Sequence, residues 1–492
     1  MSARKAALAA LHVHGAKTLE VRGALVGAGL TGTFHTWQTA DRARNDEHIG
    51  GRAEESLRLG DDEYLVNESG NVRQLQGLLL LRQHTEDFID DGGFVREPQY
   101  DKLDGEKQLP DGRSVYELTV SPPDGQSETL DLDTKSLMID RISYDEEDGT
   151  STEDFSDYKT FAGELLAQKE IDSNGDHSYD ITRYAEIIDV DRPLKDGVFA
   201  IPQNSEIQTD KPVTVPLEEH QGHYYVHVTI GGHRYLFLLD TGAQSVVLDL
   251  RVASAEGLKP EGHLEVAGAQ RTGGMAIAAL DSIQIGGAVL PVHVVTVLSL
   301  QGATGSYDAD GVLGYPFFAS AEVSIDPAAQ TLTFGKPGTL HVKGDAIAVD
   351  DDRQLIEIQA KVNNTPGRFV VDTGNSTELL LFAPFMRAHP NLVEFQQRQF
   401  ATDYGVGGSV PAMSAIIDEL DIGSYRLFNR YTNLMLAQRG AFADRFDAGN
   451  IGMAILKNFI VTFDLANAKM YVQRGPAFDD GRYRERLEHF QP

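Results

Sequence analysis

The tripeptide Asp-Thr-Gly occurs twice in this 492-residue chain, as Asp240, Thr241 and Gly242 in FLLDTGAQSVVLDL and as Asp372, Thr373 and Gly374 in FVVDTGNSTELLLF. Each aspartate follows an apolar pair, Leu238-Leu239 or Val370-Val371. One such aspartate is an ordinary turn residue. Two brought together are chemically different, because carboxylates about 3 Å apart cannot both ionise easily and one of them keeps its proton. A pair of that kind presents a general acid and a general base at one point in space.

The elements that would carry the two aspartates also occur twice. YVHVTIGGHRYLFLLDTGAQSVVLD aligns with LIEIQAKVNNTPGRFVVDTGNSTELLL. In each, alternating apolar residues (Val226, Val228 and Ile230; Ile356, Ile358, Ala360 and Val362) predict a strand, a glycine-containing turn reverses it, and a second apolar strand runs into Asp-Thr-Gly. LDSIQIGG matches IDELDIGS, and DADGVLGYPFFASAEVSIDPAAQTLTF matches FDAGNIGMAILKNFIVTFDLANAKMYV. The offset is 132 between the aspartates, 137 between Gly286 and Gly423, and 138 both between Gly314 and Gly452 and between Asp326 and Asp464. Order is kept and the drift is small, so two homologous segments are expected, residues 216–340 and 350–476.

An apolar pair before Asp-Thr-Gly, followed some 75 to 80 positions later by an apolar-apolar-Gly element (Val312-Leu313-Gly314, and less closely Asn450-Ile451-Gly452), resembles the aspartic peptidases. The bacterial retropepsin-like group is the nearest in kind, here with two copies in one chain. The resemblance covers about residues 216–474 and implies a mostly-β, bilobed domain with pseudo-twofold symmetry. It implies an endopeptidase acting on peptide or protein substrates without cofactor or metal, in which water held between Asp240 and Asp372 attacks the scissile carbonyl and no covalent intermediate forms. Thr241 and Thr373 would hydrogen-bond across the pseudo-twofold axis and lock the loops, while Gly242 and Gly374 let them approach without a Cβ in the way. With both half-sites in one chain, no dimer is required for catalysis.

Two positions depart from the secreted, pepsin-like pattern, in which a Ser or Thr after Asp-Thr-Gly helps stabilise the ionised carboxylate. Here those positions are Ala243, the choice of retroviral-type enzymes, and Asn375, which is less usual. Fewer hydroxyl donors imply a milder optimum than pepsin's, about pH 4 to 6. Two glycine-rich segments, EVAGAQRTGGMAI and TDYGVGGSVPAM, are placed to form flaps over a peptide, with Gly273, Gly274, Gly407 and Gly408 as hinges and Tyr404 packing on the substrate.

Composition excludes several other classes. A formal net charge of -31 argues against a nucleic-acid partner, which is bound through clustered Lys and Arg. The absence of cysteine removes disulfides, thiolate metal sites and cysteine nucleophiles. No His-Glu-x-x-His is present, and His12 and His14 read as surface residues of a strand. No run approaches the ~18 apolar residues of a membrane-spanning helix, and the opening MSARKAALAALHVHG lacks an apolar signal-peptide core. Asn375 lies in an Asn-x-Ser/Thr-type sequon (NST) inside the aspartate loop, which fits a host that does not glycosylate.

Residues 1–205 read as alternating strands between DG, NG and PPDG turns, with a helix expected over 71–88 and a proline-containing linker near 205. The acidic runs YDEEDGTSTEDFSD and VDDDR read as solvated loops, and DSNGDHSYD as a hairpin turn. This antiparallel sheet resembles the lipoprotein-carrier (LolA-like) half-barrel of the bacterial periplasm. That resemblance implies an extracytoplasmic bacterial protein whose first domain holds a lipid or peptide ligand, serves as a scaffold, or covers the cleft. The alternative to the peptidase is a protein of the same fold that binds peptides or lipids in the cell envelope without cutting them. Residues 477–492 read as a tail.

Overall fold

The computed structural model describes residues 16–268, 271–302, 308–394 and 399–482. His12 and His14, and Ala269 and Gln270 in the first flap segment, lie outside them. The chain divides into two compact units, one running up to Gln203 with Glu261–Leu264 added, the other comprising Asn204–Pro260 and the chain from Glu265 on.

The first unit is built on a sheet of 13 strands. Leu19–Gly27, Leu30–Gln38, Arg42–Ile49, Arg52–Leu59, Asp62–Val66 and Val72–Gln74 meander outward as antiparallel neighbours. Their tight reversals are at Ala28-Gly29 and Gly50-Gly51, where all four residues have positive φ. Two consecutive left-handed residues make the turn whose twist matches that of the strands. The chain then forms the helix Leu78–Asp90, re-enters at the far edge with Asp101–Gln108, and meanders back to Ile181–Val190, which pairs with Leu19–Gly27.

The helix begins later than the sequence pattern predicts. Val72 pairs with Val66 in a strand, after a turn in which the Asn67 side chain accepts the N–H groups of Ser69 and Asn71; the first helical residue follows Gly77. Ile89 of the helix and Phe94 just beyond it pack on Leu118, Leu130, Ile142 and Tyr144 of the sheet. Beside this contact lies a cavity of about 240 Å3, walled by Val21, Ile89, Phe155 and Ile188, with Asp90 and Tyr158 as polar neighbours. Among the described residues no helix is long and apolar enough to cross a membrane.

In the second unit one connection order appears twice. Strand β1 (His223–Ile230) pairs antiparallel with β2 (His233–Leu239), which ends at Asp240. β3 (Val247–Asp249) follows, and β4 (Gly311–Leu313) returns between them, parallel to β2 and antiparallel to β3. Likewise β5 (Glu357–Val362) pairs with β6 (Thr365–Asp372), β7 (Leu379–Leu381) follows, and β8 (Gly449–Gly452) lies parallel to β6 and antiparallel to β7. Even the registers correspond, with Phe237 opposite Gly311 and Phe369 opposite Gly449.

A separate six-stranded sheet joins the two segments. Its central strands, Glu322–Asp326 and Phe459–Asp464, run antiparallel with Ser324 opposite Thr462, two positions 138 residues apart in the chain, and the Thr462 hydroxyl donates to Ser324 Oγ at 2.9 Å. Phe318 stacks edge-to-face on Phe463 at 5.3 Å, and both are fully buried. Of the expected tail, the described residues 478–482 are held against the second unit: the Phe428 N–H donates to the Asp480 carbonyl at 2.6 Å, and Phe478 packs on Phe459; residues 483–492 lie outside the described residues.

Candidate functional site

β2 and β6 deliver Asp240 and Asp372 into two loops that meet. The contact is made by Thr241 and Thr373, both almost wholly buried. The N–H of each donates to the hydroxyl oxygen of the other at 3.0 Å, and each hydroxyl donates onward to a carbonyl of the opposite strand, Thr241 to Val371 at 2.6 Å and Thr373 to Leu239 at 2.8 Å. Every buried donor is thereby satisfied. Leaving one unpaired costs about 1 to 3 kcal/mol, so the frame resists separation.

The glycines follow from the same approach. A Cβ on Gly242 would stand 2.7 Å from the Asp372 carboxyl carbon, and one on Gly374 2.3 Å from that of Asp240. Gly314 and Gly452 are required in turn, because a Cβ there would meet the carbonyl oxygens of Ser245 and Thr377 at 2.2 and 2.3 Å. Three backbones therefore close behind each aspartate with no room for a side chain.

The carboxyl groups of Asp240 and Asp372 lie side by side, each against the glycine of the opposite loop. Burial and the neighbouring charge of Asp372 push Asp240 well above the usual carboxylate range, opposed by the N–H groups of Gly242 and Gly374. The pair is thus suited to hold one proton between two oxygens, and both residues remain partly open to solvent.

Their surroundings differ. Asp240 accepts the Gly242 N–H at 2.8 Å, and Ala243 adds no side-chain donor. Asp372 accepts the N–H groups of Gly374 at 2.8 Å and Asn375 at 3.1 Å, and also the side-chain amide of Asn450. The sequence points to Asn450 only as the first residue of the second, less regular apolar-apolar-Gly element, not as a partner of the aspartate. Its only sequence signal is that it replaces an apolar residue in an apolar-apolar-Gly element, where Val312 stands in the first segment. Asn375 does not reach Asp372 with its side chain; its amide donates instead to Asn450 Oδ1 at 2.9 Å.

His223, at the start of β1, was also missed. Its ring lies near the Gly374 backbone and Asp372, which raise its pKa, yet burial outweighs both and holds it below the usual histidine value. No pattern in the sequence singles it out.

The expected flap of the second segment is a hairpin, Gln399–Gly405 against Gly408–Ile422, whose two-residue turn is Val406-Gly407. Its tip and the first segment enclose a cavity of about 650 Å3 lined by Leu250, Gly274, Met275, Leu298, Tyr404 and Gly408, with Gly407 also at its rim. Tyr404 is 68% exposed on this hairpin and so is free to meet a ligand. Val406 and Ala243 pack against the same apolar cluster, which brings the hairpin tip close to the aspartate loop. Gly273 lies in the strand Arg271–Ala279, next to Gly274.

Residues 226–317 match the model of an aspartyl protease family, so this part of the chain carries a protease-like fold. No curated protein matches the chain. Solved structures similar to 40% of this chain include a DUF1329 family protein from Desulfovibrio piger (18% identity, 95% of that chain, TM-score 0.31), a putative outer membrane lipoprotein-sorting protein domain from Vibrio parahaemolyticus (10%, 95%, 0.29) and a LolA superfamily protein from Nitrosomonas europaea (13%, 97%, 0.29).

Proposed function

We propose that the protein is a single-chain aspartic endopeptidase in which the segments around Asp240 and Asp372 are the two lobes and supply one carboxyl each. The observation that carries this reading is the reciprocal threonine lock, with each loop glycine facing the carboxyl of the other loop. Only a pair meant to work together needs that approach, since isolated turn aspartates would be better solvated apart.

Water seated between the carboxyls loses a proton to the ionised one as its oxygen bonds to the peptide carbonyl carbon. The π electrons move to the carbonyl oxygen, which takes the proton of the other carboxyl. In the collapse of the tetrahedral intermediate the C–N bond breaks, the proton gained by the base passes to the leaving nitrogen, and a hydroxyl of the intermediate returns its proton to the other carboxylate as the carbonyl re-forms. The hairpin bearing Tyr404 covers the peptide and excludes competing water. No second copy of the chain and no metal take part. The peptide substrate and a location outside the cytoplasm belong to the same proposal, as does a lipid or peptide ligand for the apolar cavity of the first unit.

The test is a peptide-library digest at several pH values with wild type, Asp240→Asn and Asp372→Asn. Each single variant should lose at least about 1,000-fold in kcat/KM, since neither carboxyl does the other's work. Full activity in either variant, or no cleavage by wild type at any pH, overturns the reading.

A further inference from the structure

The amide pair Asn375 and Asn450 has a fixed polarity, and this polarity points at one oxygen of the dyad. A side-chain amide can usually be turned end for end, but here a backbone group decides. The Thr377 N–H, which can only donate, is 2.9 Å from Asn375 Oδ1, and the Thr377 hydroxyl donates to the same oxygen at 2.7 Å. Asn375 must therefore present its NH2 to Asn450, 2.9 Å away, and Asn450 must receive it with Oδ1. What remains of Asn450 is its own NH2, which is aimed at Asp372 Oδ2.

We propose that Asn450, oriented through Asn375, is a positioning residue that holds Asp372 as the ionised general base and leaves Asp240 as the proton-bearing acid. This deepens the peptidase reading and rests on it for the words base and acid. A donor facing Asp372 Oδ2 favours an oxygen that only accepts, and with the N–H groups of Gly374 and Asn375 it gives Asp372 three donors. Asp240 has the Gly242 N–H at 2.8 Å and shares the field of Gly374. In the first segment the two amide positions are Ala243 and Val312, neither of which can donate from its side chain. Among the described residues, the titratable groups beside the pair include the two aspartates themselves and His223. In the resulting step, water gives its proton to Asp372 and the substrate carbonyl oxygen takes the proton of Asp240.

The experiment is a carboxyl-carbon NMR titration of the single variants D240N and D372N, each of which leaves one dyad aspartate. Asp372 in D240N should titrate at least about one pH unit below Asp240 in D372N, and adding N450V to D240N should raise Asp372 by about one unit, the worth of one charge-assisted hydrogen bond. N375A, which releases the amide without touching Asp372, should raise it by less and covers the case in which N450V fails to fold. In active enzyme, N450V should move the acid limb of kcat/KM upward while the alkaline limb stays within a few tenths of a unit. Equal titration of the two aspartates, the reverse order, or no shift in either asparagine variant overturns the proposal. The titration needs no turnover, so an inactive wild type sinks the peptidase reading alone.

Discussion

The loops around Asp240 and Asp372 share a backbone and differ in what stands behind it. Behind the first are Tyr225, Leu238, Ala309 and Val312, members of one buried apolar cluster, with Leu236 packed against it. At the positions corresponding to Tyr225, Leu236, Ala309 and Val312, the second has Glu357, Arg368, Asp447 and Asn450. There Arg353 contacts Glu357 at 3.0 Å and Asp444 at 2.8 Å, while Arg368 contacts Asp447 at 2.7 Å and Glu357 at 3.1 Å. With Asp350 also near Arg368, two guanidinium groups face four carboxylates. Burial and Asp447 push Glu357 up to about 9, and burial pushes Asp447 to about 6, against the pull of both arginines. Placing a carboxyl therefore requires the threonine lock and the glycines, whereas an apolar or an ionic backing serves equally well. The ionic one costs desolvation, and on its side alone an amide reaches the dyad.

The comparison breaks most visibly if the ionic backing is dispensable. Arg353→Met leaves Glu357, Asp444 and Asp447 without their shared partner and should cost about 3 to 5 kcal/mol in denaturant unfolding of the second unit. A change under about 1 kcal/mol would mean that the cluster is passive filler. The shared frame makes a different demand. Thr241→Val and Thr373→Val each strip the acceptor from a buried N–H, so each should cost about 1 to 3 kcal/mol and the two should agree within about 0.5. A wide gap between them would show that the frame itself is lopsided.

The smallest effect tests the apolar side. Ala243→Ser offers Asp240 a hydroxyl donor. A donor to the ionised form lowers a carboxyl pKa, so the alkaline limb of kcat/KM should fall by a few tenths of a pH unit while the acid limb stays put. An upward shift would contradict the assignment of that limb to Asp240.

What the sequence disclosed follows what the chemistry demands of identity. Asp240, Asp372 and the four loop residues after them are legible because no other residue types fit so close an approach. Glu357 was hidden by its own neighbours: alternation of Ile356, Glu357 and Ile358 predicts a solvent-facing glutamate, and Gln359 and Lys361 on the same face of β5 are indeed exposed, but Glu357 at the start of the strand is covered and only 1% exposed. Arg368 and Asp447 are 79 positions apart, and only the parallel pairing of β6 with β8 brings them together. Asn450 sat in an element read as an apolar brace, and His223 acts through a tertiary contact that leaves no periodic trace. The later helix start has a local cause, since the turn at Asn67–Asn71 returns Val72 to the sheet before any helix can begin.

The central claim is that Asp240 and Asp372 share one proton in the working enzyme. It is tested most directly by the pH dependence of kcat/KM for the wild-type protein on a cleaved peptide. The account predicts a bell, rising as Asp372 ionises, falling as Asp240 loses its proton, with its maximum between about pH 4 and 6. A maximum below about pH 3, or a plateau extending through neutral pH without an alkaline limb, would contradict it.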